Sequence, residues 1–520
     1  MFPLAVLLLA PLFAPQAGDE GLSARWSFEG DVRDSGPAAL PTKASGRVEF
    51  IDSPVAGKMA VFNGVDGYIQ VDPAATLGTG AADFTLSAWI LSLERRPGVL
   101  FARKGWSLIL LDGGALRLAT ESGNLSSPAG SFPSGQWNHV VVTVKRAAEG
   151  GLSRIAVNGE IVGSGDIRTG DLDAPKAPFF MGRGLEEGKL FTGFMDEVRL
   201  YSRALDAAES LRLTDAGMPW LRPKPHAKMP FAGKFELIQD DVVVFSGGEN
   251  GRVAQDAGYL ETLLALHAAG KRVHFRDMAW EGDTVYEQPR PLNFGSWTEQ
   301  LRRAGASVVF AQFGQLESLE GKAGVERFAA AYRALLAQFA KTTQRIVLVS
   351  PSLFGKGSAR QPDLAARNED LRLYVAAIRK IAEENGYLFV DLTTKPMAAE
   401  GLTRDGLHLT LAGQWVAARE TARQLEVPGL SDLDGPDPRG VLRRESLEMV
   451  RAAIQYKNVL WTDSWRPANW AFLSGDRMEQ PSSRDHLDRR VRWFPVEIQQ
   501  LPAMLRRQEE KIDTLISERK

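Results

Sequence analysis

Val242-Val-Val-Phe-Ser-Gly-Gly-Glu-Asn250 is a run of β-branched and aromatic residues that stops at a pair of glycines. Such a run reads as a buried strand closed by a turn. Three apolar runs of similar length follow at long intervals, at residues 307–311, 346–350 and 388–391, with helix-forming sequence between them. One of these helices carries Leu371, Tyr374, Ile378 and Ile381 on a single stripe and stops at Asn385-Gly386, a C-terminal cap. Strand and helix in alternation predict a parallel sheet with helices on both faces, a three-layer α/β domain.

Upstream the period is different. From residue 21 to 205 short β-rich runs such as Gly67-Tyr-Ile-Gln-Val71, Phe84-Thr-Leu-Ser-Ala-Trp-Ile90 and His139-Val-Val-Val-Thr-Val144 are separated by Gly, Asn, Asp and Pro. This spacing predicts an all-β sandwich of the jelly-roll kind. Asn158-Gly159 marks a tight hairpin. The stretch 217–234, with Pro219, Pro223, Pro225 and Pro230, reads as a linker. After an α/β domain at 235–428, the segment 429–520 is charged and Trp-rich and ends in helix-like sequence.

Composition bounds the function classes. A chain of 520 residues exceeds one core and predicts a multidomain protein. A net charge of −2 with a pI near 6.4 gives no electrostatic basis for a nucleic-acid partner. The absence of cysteine excludes thiol catalysis and Cys-based zinc sites. Residues 1–17 hold an apolar run followed by Ala14, Pro15, Gln16 and Ala17, which reads as a signal peptide and predicts export to the periplasm, cell surface or medium. That run is too short to span a bilayer and no later one is longer, so no transmembrane segment is expected.

Several motifs of the first region come in a recognisable order: Trp26-Ser-Phe-Glu-Gly-Asp31 with Asp34-Ser-Gly36, Phe62-Asn-Gly-Val-Asp-Gly-Tyr68, Trp137-Asn-His139, and Phe194-Met-Asp-Glu-Val198. In these the region resembles the laminin-G-like jelly roll of the concanavalin type. The resemblance implies a module for glycans or protein partners and a structural calcium ion, for which Asp34 and Asp196 stand at the matching positions. The alternative is that both carboxylates are turn and cap residues. No pair of carboxylates on one strand is spaced for glycoside hydrolysis.

With six histidines in the chain, the placement of His408 in Asp405-Gly-Leu-His-Leu409, after the last strand, is informative. Across three loop residues Asp405 can orient the imidazole and leave its other nitrogen free as a base. Here the domain resembles the SGNH/GDSL hydrolases, a flavodoxin-like fold that cleaves esters. The resemblance covers about residues 235–424 and assigns Gly282, in Trp280-Glu-Gly-Asp283, to the oxyanion hole. Two departures follow from it. Where the family reads Gly-Asp-Ser, this chain has Gly247, Gly248 and Glu249, so the nucleophilic serine is replaced by a carboxylate. Where the family reads Gly-x-Asn-Asp, Leu316 replaces the oxyanion asparagine. Each lost oxyanion donor costs about 10²–10³ in rate. Glu249 pairs more naturally with the imidazole than it attacks. Ser246, in the strand end, is misdirected as a substitute nucleophile, and Gln315 is a possible substitute donor.

The expectation is therefore an exported protein in which a lectin-like module is joined to an SGNH-fold domain that binds or acts on an acylated glycan, with no cofactor required. Glu249, Gly282, Asp405 and His408 form the catalytic positions, and Ser246, Gly248, Gln315 and Leu316 the substrate-binding ones. Two alternatives stay open: an active carbohydrate esterase targeted to polysaccharide by the jelly roll, and a non-catalytic surface binding protein. Glu261, Glu281, Asp283 and Glu317 are read as solvated charges that could rim the cleft. The tail segment 461–470 either folds over the cleft through Arg466 and Asn469 or packs on the sheet.

Overall fold

The computed structural model describes residues 20–72, 77, 83–93, 97–121, 123–145, 151–166, 177–186, 190–222, 224–356, 363–429 and 433–519, so the segment read as a signal peptide lies outside the described residues. The chain forms two compact units, one of residues 1–51 and 55–222, the other of residues 52–54 and 223–520.

The first unit is an antiparallel sandwich of an eight-stranded and a seven-stranded sheet, counted over the described residues. Strand Phe84–Ser92 lies at the centre of the larger sheet between Asn138–Val144 and Thr192–Tyr201, and is buried throughout. Trp26, Phe62, Phe84, Phe101, Trp106 and Phe179 fill the space between the sheets. Asn158 and Gly159 take positive φ, 52° and 83°, in the two-residue turn pairing Val157 with Glu160. That is the backbone a type I′ hairpin requires.

A helix that the sequence reading left unassigned, α1 (Ala207–Gly217), closes this unit. Asp206 and Glu209 form its capping box, a signal visible in Asp206-Ala-Ala-Glu209. Thr214 on α1 takes Nδ1 of the buried His139 at 2.7 Å while Ser87 meets its Nε2 at 2.8 Å. Burial pushes the His139 imidazole down to about 3. This histidine is structural, bridging the sheet to α1.

The second unit carries five parallel strands, β1 (Val242–Gly247), β2 (His274–Asp277), β3 (Val308–Gln312), β4 (Ile346–Val349) and β5 (Leu388–Val390). They pair in the order β2-β1-β3-β4-β5, the flavodoxin-like order. α2 (Glu249–Ala257), α3 (Tyr259–His267) and α7 (Leu411–Gln424) pack on one face through Tyr259, Leu264, Trp415 and Ala422. On the other face lie α4 (Trp297–Ala304), α5 (Val325–Ala340) and α6 (Asn368–Asn385), held by Leu301, Phe328, Tyr332 and Ile378. The predicted stripe of Leu371, Tyr374, Ile378 and Ile381 is fully buried, and Gly386 caps α6 at φ 68°.

The boundary at Arg222 falls inside the stretch read as a linker. From Pro225 that stretch is packed structure, with Ala227 and Phe231 buried and His226 on Asp241 at 3.1 Å. The C-terminal segment forms α8 (Glu445–Trp465), the short α9 (Trp470–Leu473) and α10 (Phe494–Ile498), and α11 (Gln500–Ser517). α8 extends the first helical layer, with Lys457 donating to the Phe275 carbonyl at 3.0 Å and Trp461 to that of Asp277 at 2.5 Å. No helix among the described residues is long and apolar enough to cross a membrane.

Candidate functional site

β1 and β3 are neighbours although β2 separates them in sequence, so the sheet order reverses at their C-terminal ends. Doubly wound sheets open a crevice at such a point. Gly248 is the N-cap of α2, and Glu249 is its first helical residue. Neither turn glycine tolerates a side chain. A Cβ at Gly247 would lie 2.6 Å from the Gln312 carbonyl oxygen, and one at Gly248 would lie 2.7 Å from that of Asp283. An aspartate therefore has no room at position 248, which accounts for one departure from Gly-Asp-Ser.

Opposite α2, the loop before α7 turns on Asp405. Its Oδ1 accepts the backbone N–H of Leu407 at 3.0 Å and of His408 at 2.8 Å, and its Oδ2 takes His408 Nδ1 at 2.5 Å. Burial raises the Asp405 carboxyl, but these donors outweigh it and hold the group down at about 2. His408 Nε2 faces Glu249 Oε1 at 3.5 Å. The three side chains meet in one row, Asp405, His408, Glu249, with a carboxylate on each ring nitrogen.

Beside this row a hollow is lined by Gly248, Glu249, Asp283, Gly314, Gln315 and Leu316, among others. Leu316 presents an apolar side chain where the resemblance expects an amide donor. Gln315 is not free to replace it, since its Nε2 donates to the Ser352 carbonyl at 3.3 Å and its Oε1 accepts from Asn250 at 2.7 Å. Gly282 is exposed on the loop after β2, and its neighbour Asp283 is the residue that meets Gly248 and lines the hollow. Ser246 is buried and lines a separate internal cavity behind α2. The reading of Ser246 as a substrate contact in the cleft is corrected accordingly: a strand-end side chain points into the helix layer.

Sequence reasoning missed Asn250. Its Nδ2 donates to Gln315 Oε1 at 2.7 Å and to the Leu407 carbonyl at 3.0 Å, and its Oδ1 accepts from the Leu409 N–H at 3.1 Å. One amide thus grips both chain neighbours of His408 and ties them to the helix that carries Glu249. No local pattern announces a brace whose partners lie 65 to 159 residues away.

The four carboxylates read as a possible rim have separate occupations. Glu317 is buried and accepts N–H groups from Val285 at 2.8 Å and Gly314 at 2.9 Å, clasping two site loops. Asp283 is paired with Arg290 at 2.6 Å, and Glu281 with Arg466 at 2.8 Å. Glu261 lies away from the site on Lys457 at 2.7 Å. Arg466 also covers the Trp280 ring at 4.3 Å. The tail segment reaches the end of β2 through Trp461 and the Asp277 carbonyl, and beyond it packs on the loop after β2, where Trp465 meets Trp280 and Phe294.

At the end of β2, Asp277 is fully buried with Arg252 at 3.7 Å and the Ala279 N–H at 2.9 Å. Burial dominates and pushes its carboxyl up to about 8. From the ordinary value of 3.8 up to about 8, the folded chain holds a proton that the unfolded chain has released. Its contribution to stability is therefore complete in acid and declines as pH rises through that window. Asp277→Asn keeps the acceptor for Ala279. It is expected to raise the melting temperature at pH 8 and to flatten the decline between pH 5 and 8 in thermal scans.

The expected calcium ligands do not fit a cation. Asp34 Oδ1 accepts N–H groups from Arg25 at 2.8 Å and Gly36 at 2.7 Å, and its Oδ2 accepts from Leu40 at 2.7 Å. Asp196 accepts from Glu197 at 2.7 Å and Ala56 at 3.3 Å. Oxygens that face backbone donors would have to release them to bind calcium. No group of three or more metal-ligating side chains gathers among the described residues. Chelation is expected to leave the thermal unfolding of the jelly roll unchanged.

Comparison with known proteins agrees with both motif resemblances. Residues 63–209 match the concanavalin A-like lectin/glucanases superfamily, and residues 241–416 match the GDSL-like lipase/acylhydrolase family. No curated protein matches the chain. Among solved structures it is similar to domain 4 of a GH43 extracellular arabinanase from Geobacillus stearothermophilus in complex with arabinotriose, at 24% identity over 37% of this chain and 98% of that one, with a TM-score of 0.31. It is also similar to the binding domain of Paraclostridial Mosquitocidal Protein 1, at 18% identity over 38% of this chain and 52% of that one, with a TM-score of 0.33. The receptor binding domain of a botulinum neurotoxin C/D mosaic serotype follows, at 14% identity over 38% and 51%, with a TM-score of 0.31. The chain spans about half the length of those two toxin domains.

Proposed function

For a chain that joins a concanavalin-like domain to a GDSL-like hydrolase domain, we propose that the second domain binds an acylated glycan in the hollow between β1 and β3 without cleaving it by a serine route. The jelly roll acts as the lectin-like module that holds polysaccharide, and the protein works after export.

The observation that carries this reading is the Glu249–His408 contact at 3.5 Å. A carboxylate occupies the ring nitrogen that a serine hydroxyl needs, and at the same helix position. Acyl transfer of this type requires a nucleophile whose proton the imidazole takes. The hydroxyl of Ser246 lies behind the helix, and the Leu316 side chain supplies no donor for an oxyanion. The Asp405–His408 pair and the Asn250 brace nonetheless fix the loop that borders the hollow, as a binding site requires.

The test uses the full chain. Wild type is expected to take no label from a serine-directed fluorophosphonate and to hydrolyse aryl acetates no faster than His408→Ala. It is expected to bind acetylated xylo-oligosaccharides in calorimetric titration. Labelling at Ser246 would overturn the reading in favour of an active carbohydrate esterase.

A further inference from the structure

The hollow beside Glu249 is small and acidic. Its volume is about 30 Å³, close to the space one water takes up in the liquid, about 30 Å³. A sugar ring does not enter a space of that size. One substituent of the ring does, while the ring itself lies at the mouth. Three carboxylates line the hollow, Glu249, Asp283 and Glu317, and no lysine or arginine does so among the described residues.

Two of the three are occupied. The Asp283 carboxylate takes two N–H groups of Arg290, at 2.8 and 2.6 Å, and Glu317 takes those of Val285 and Gly314. Glu249 is left. Its carboxylate accepts no hydrogen bond among the described residues, and its ionic neighbour is His408 at 3.5 Å. That imidazole is already held by Asp405 through Nδ1 at 2.5 Å. Two carboxylates thus share one imidazole, and the row is negative whether or not the ring carries its second proton. The N-terminus of α2 offsets only about half a charge, so an excess remains. With 28% of its side chain exposed, Glu249 can take a donor from the hollow.

We infer that the hollow takes the free, protonated amino group of a hexosamine, so that the ligand of this site is a glycan whose amino groups are only partly acylated. The inference rests on the acylated-glycan reading above and names the sugar. An ammonium group matches the space and brings the positive charge and N–H donors that the Glu249 carboxylate lacks. An acetamide at the same position is larger by an acetyl group and uncharged. A hydroxyl of a neutral sugar fits, but leaves the charge uncompensated as water is displaced. Size and charge both select the amine.

The experiment titrates the full chain by calorimetry, at a pH that keeps the amines protonated, with a glucosamine tetramer, an N-acetylglucosamine tetramer and an acetylated xylo-oligosaccharide. Wild type is expected to bind the glucosamine tetramer at least about tenfold tighter than the N-acetylated one. Glu249→Gln keeps the shape, removes the charge and should erase most of that gap. Glu249→Asp keeps the charge and should retain part of it. A gap lost equally in both variants reports a change of shape and overturns the inference. So does a gap that Glu249→Gln leaves intact, because the amine is then read elsewhere. Equal binding of the two tetramers by wild type, or binding of the xylo-oligosaccharide alone, overturns the inference and leaves the glycan reading in place. Binding of none of the three removes both. A gap that depends on Glu249, with no binding of the xylo-oligosaccharide, upholds the inference and narrows the glycan reading to amino sugars.

Discussion

Glu249→Ser combined with Leu316→Asn is expected to give the protein measurable, His408-dependent hydrolysis of aryl acetates, together with fluorophosphonate labelling at position 249. The rest of the machinery is in place: Asp405 holds the imidazole through Nδ1, and Nε2 points at residue 249. Glu249→Ser alone leaves Leu316 at the position of the oxyanion amide and should be slower by about 10²–10³-fold. Even the double variant should fall well short of an ordinary esterase. A serine oxygen ends two bonds earlier than the Glu249 carboxylate, and misplacement by about 1 Å costs about 10²-fold. Asn250 ties the His408 loop to α2, because it grips both Leu407 and Leu409. Adding His408→Ala to the double variant should abolish turnover. Turnover that survives this third substitution would show that position 249 does not face the imidazole in solution.

The parallel sheet was legible because each strand is a short apolar run between turn signals, and burial on both faces leaves such runs little polar alternation. The Asp405–His408 pair was legible because three residues of loop suffice to join them. What stayed hidden depends on contacts between distant segments. Asn250 carries no local signal, and Glu317 looked like a surface charge until the N–H groups of Val285 and Gly314 were seen to converge on it. Ser246 was placed correctly at a strand end, but only the fold reveals that this end faces a cavity rather than the hollow. Gly248 illustrates the reverse case: its departure from the family motif is plain in the sequence, and its cause, the Asp283 carbonyl at 2.7 Å from a hypothetical Cβ, is not.

Lys457→Ala is expected to loosen the C-terminal helices far more than a surface lysine would. Lys457 on α8 is 1% exposed and Glu261 on α3 is 3% exposed, and they pair at 2.7 Å. Burial pushes the lysine below its usual range, so the pair persists against a desolvation penalty. Lys457 also donates to the Phe275 carbonyl of β2 at 3.0 Å. Removing it leaves the Glu261 carboxylate buried with no cation against it, and breaking a buried pair in this way costs about 3–5 kcal/mol. α8 holds α11 in turn, with Gln508 donating to the Ala453 carbonyl at 2.9 Å, so both helices should share the loss. Hydrogen exchange read by mass spectrometry on the full chain isolates this region from the jelly roll. Peptides from α8 and α11 should exchange about 10²–10³-fold faster in Lys457→Ala, if local opening governs their protection, while those from strand Phe84–Ser92 should not change. Replacing both partners, Lys457→Met with Glu261→Leu, removes both charges at similar volume and should restore most of the protection. Unchanged exchange in Lys457→Ala would mean that water already reaches the pair, and that the helices are held without it.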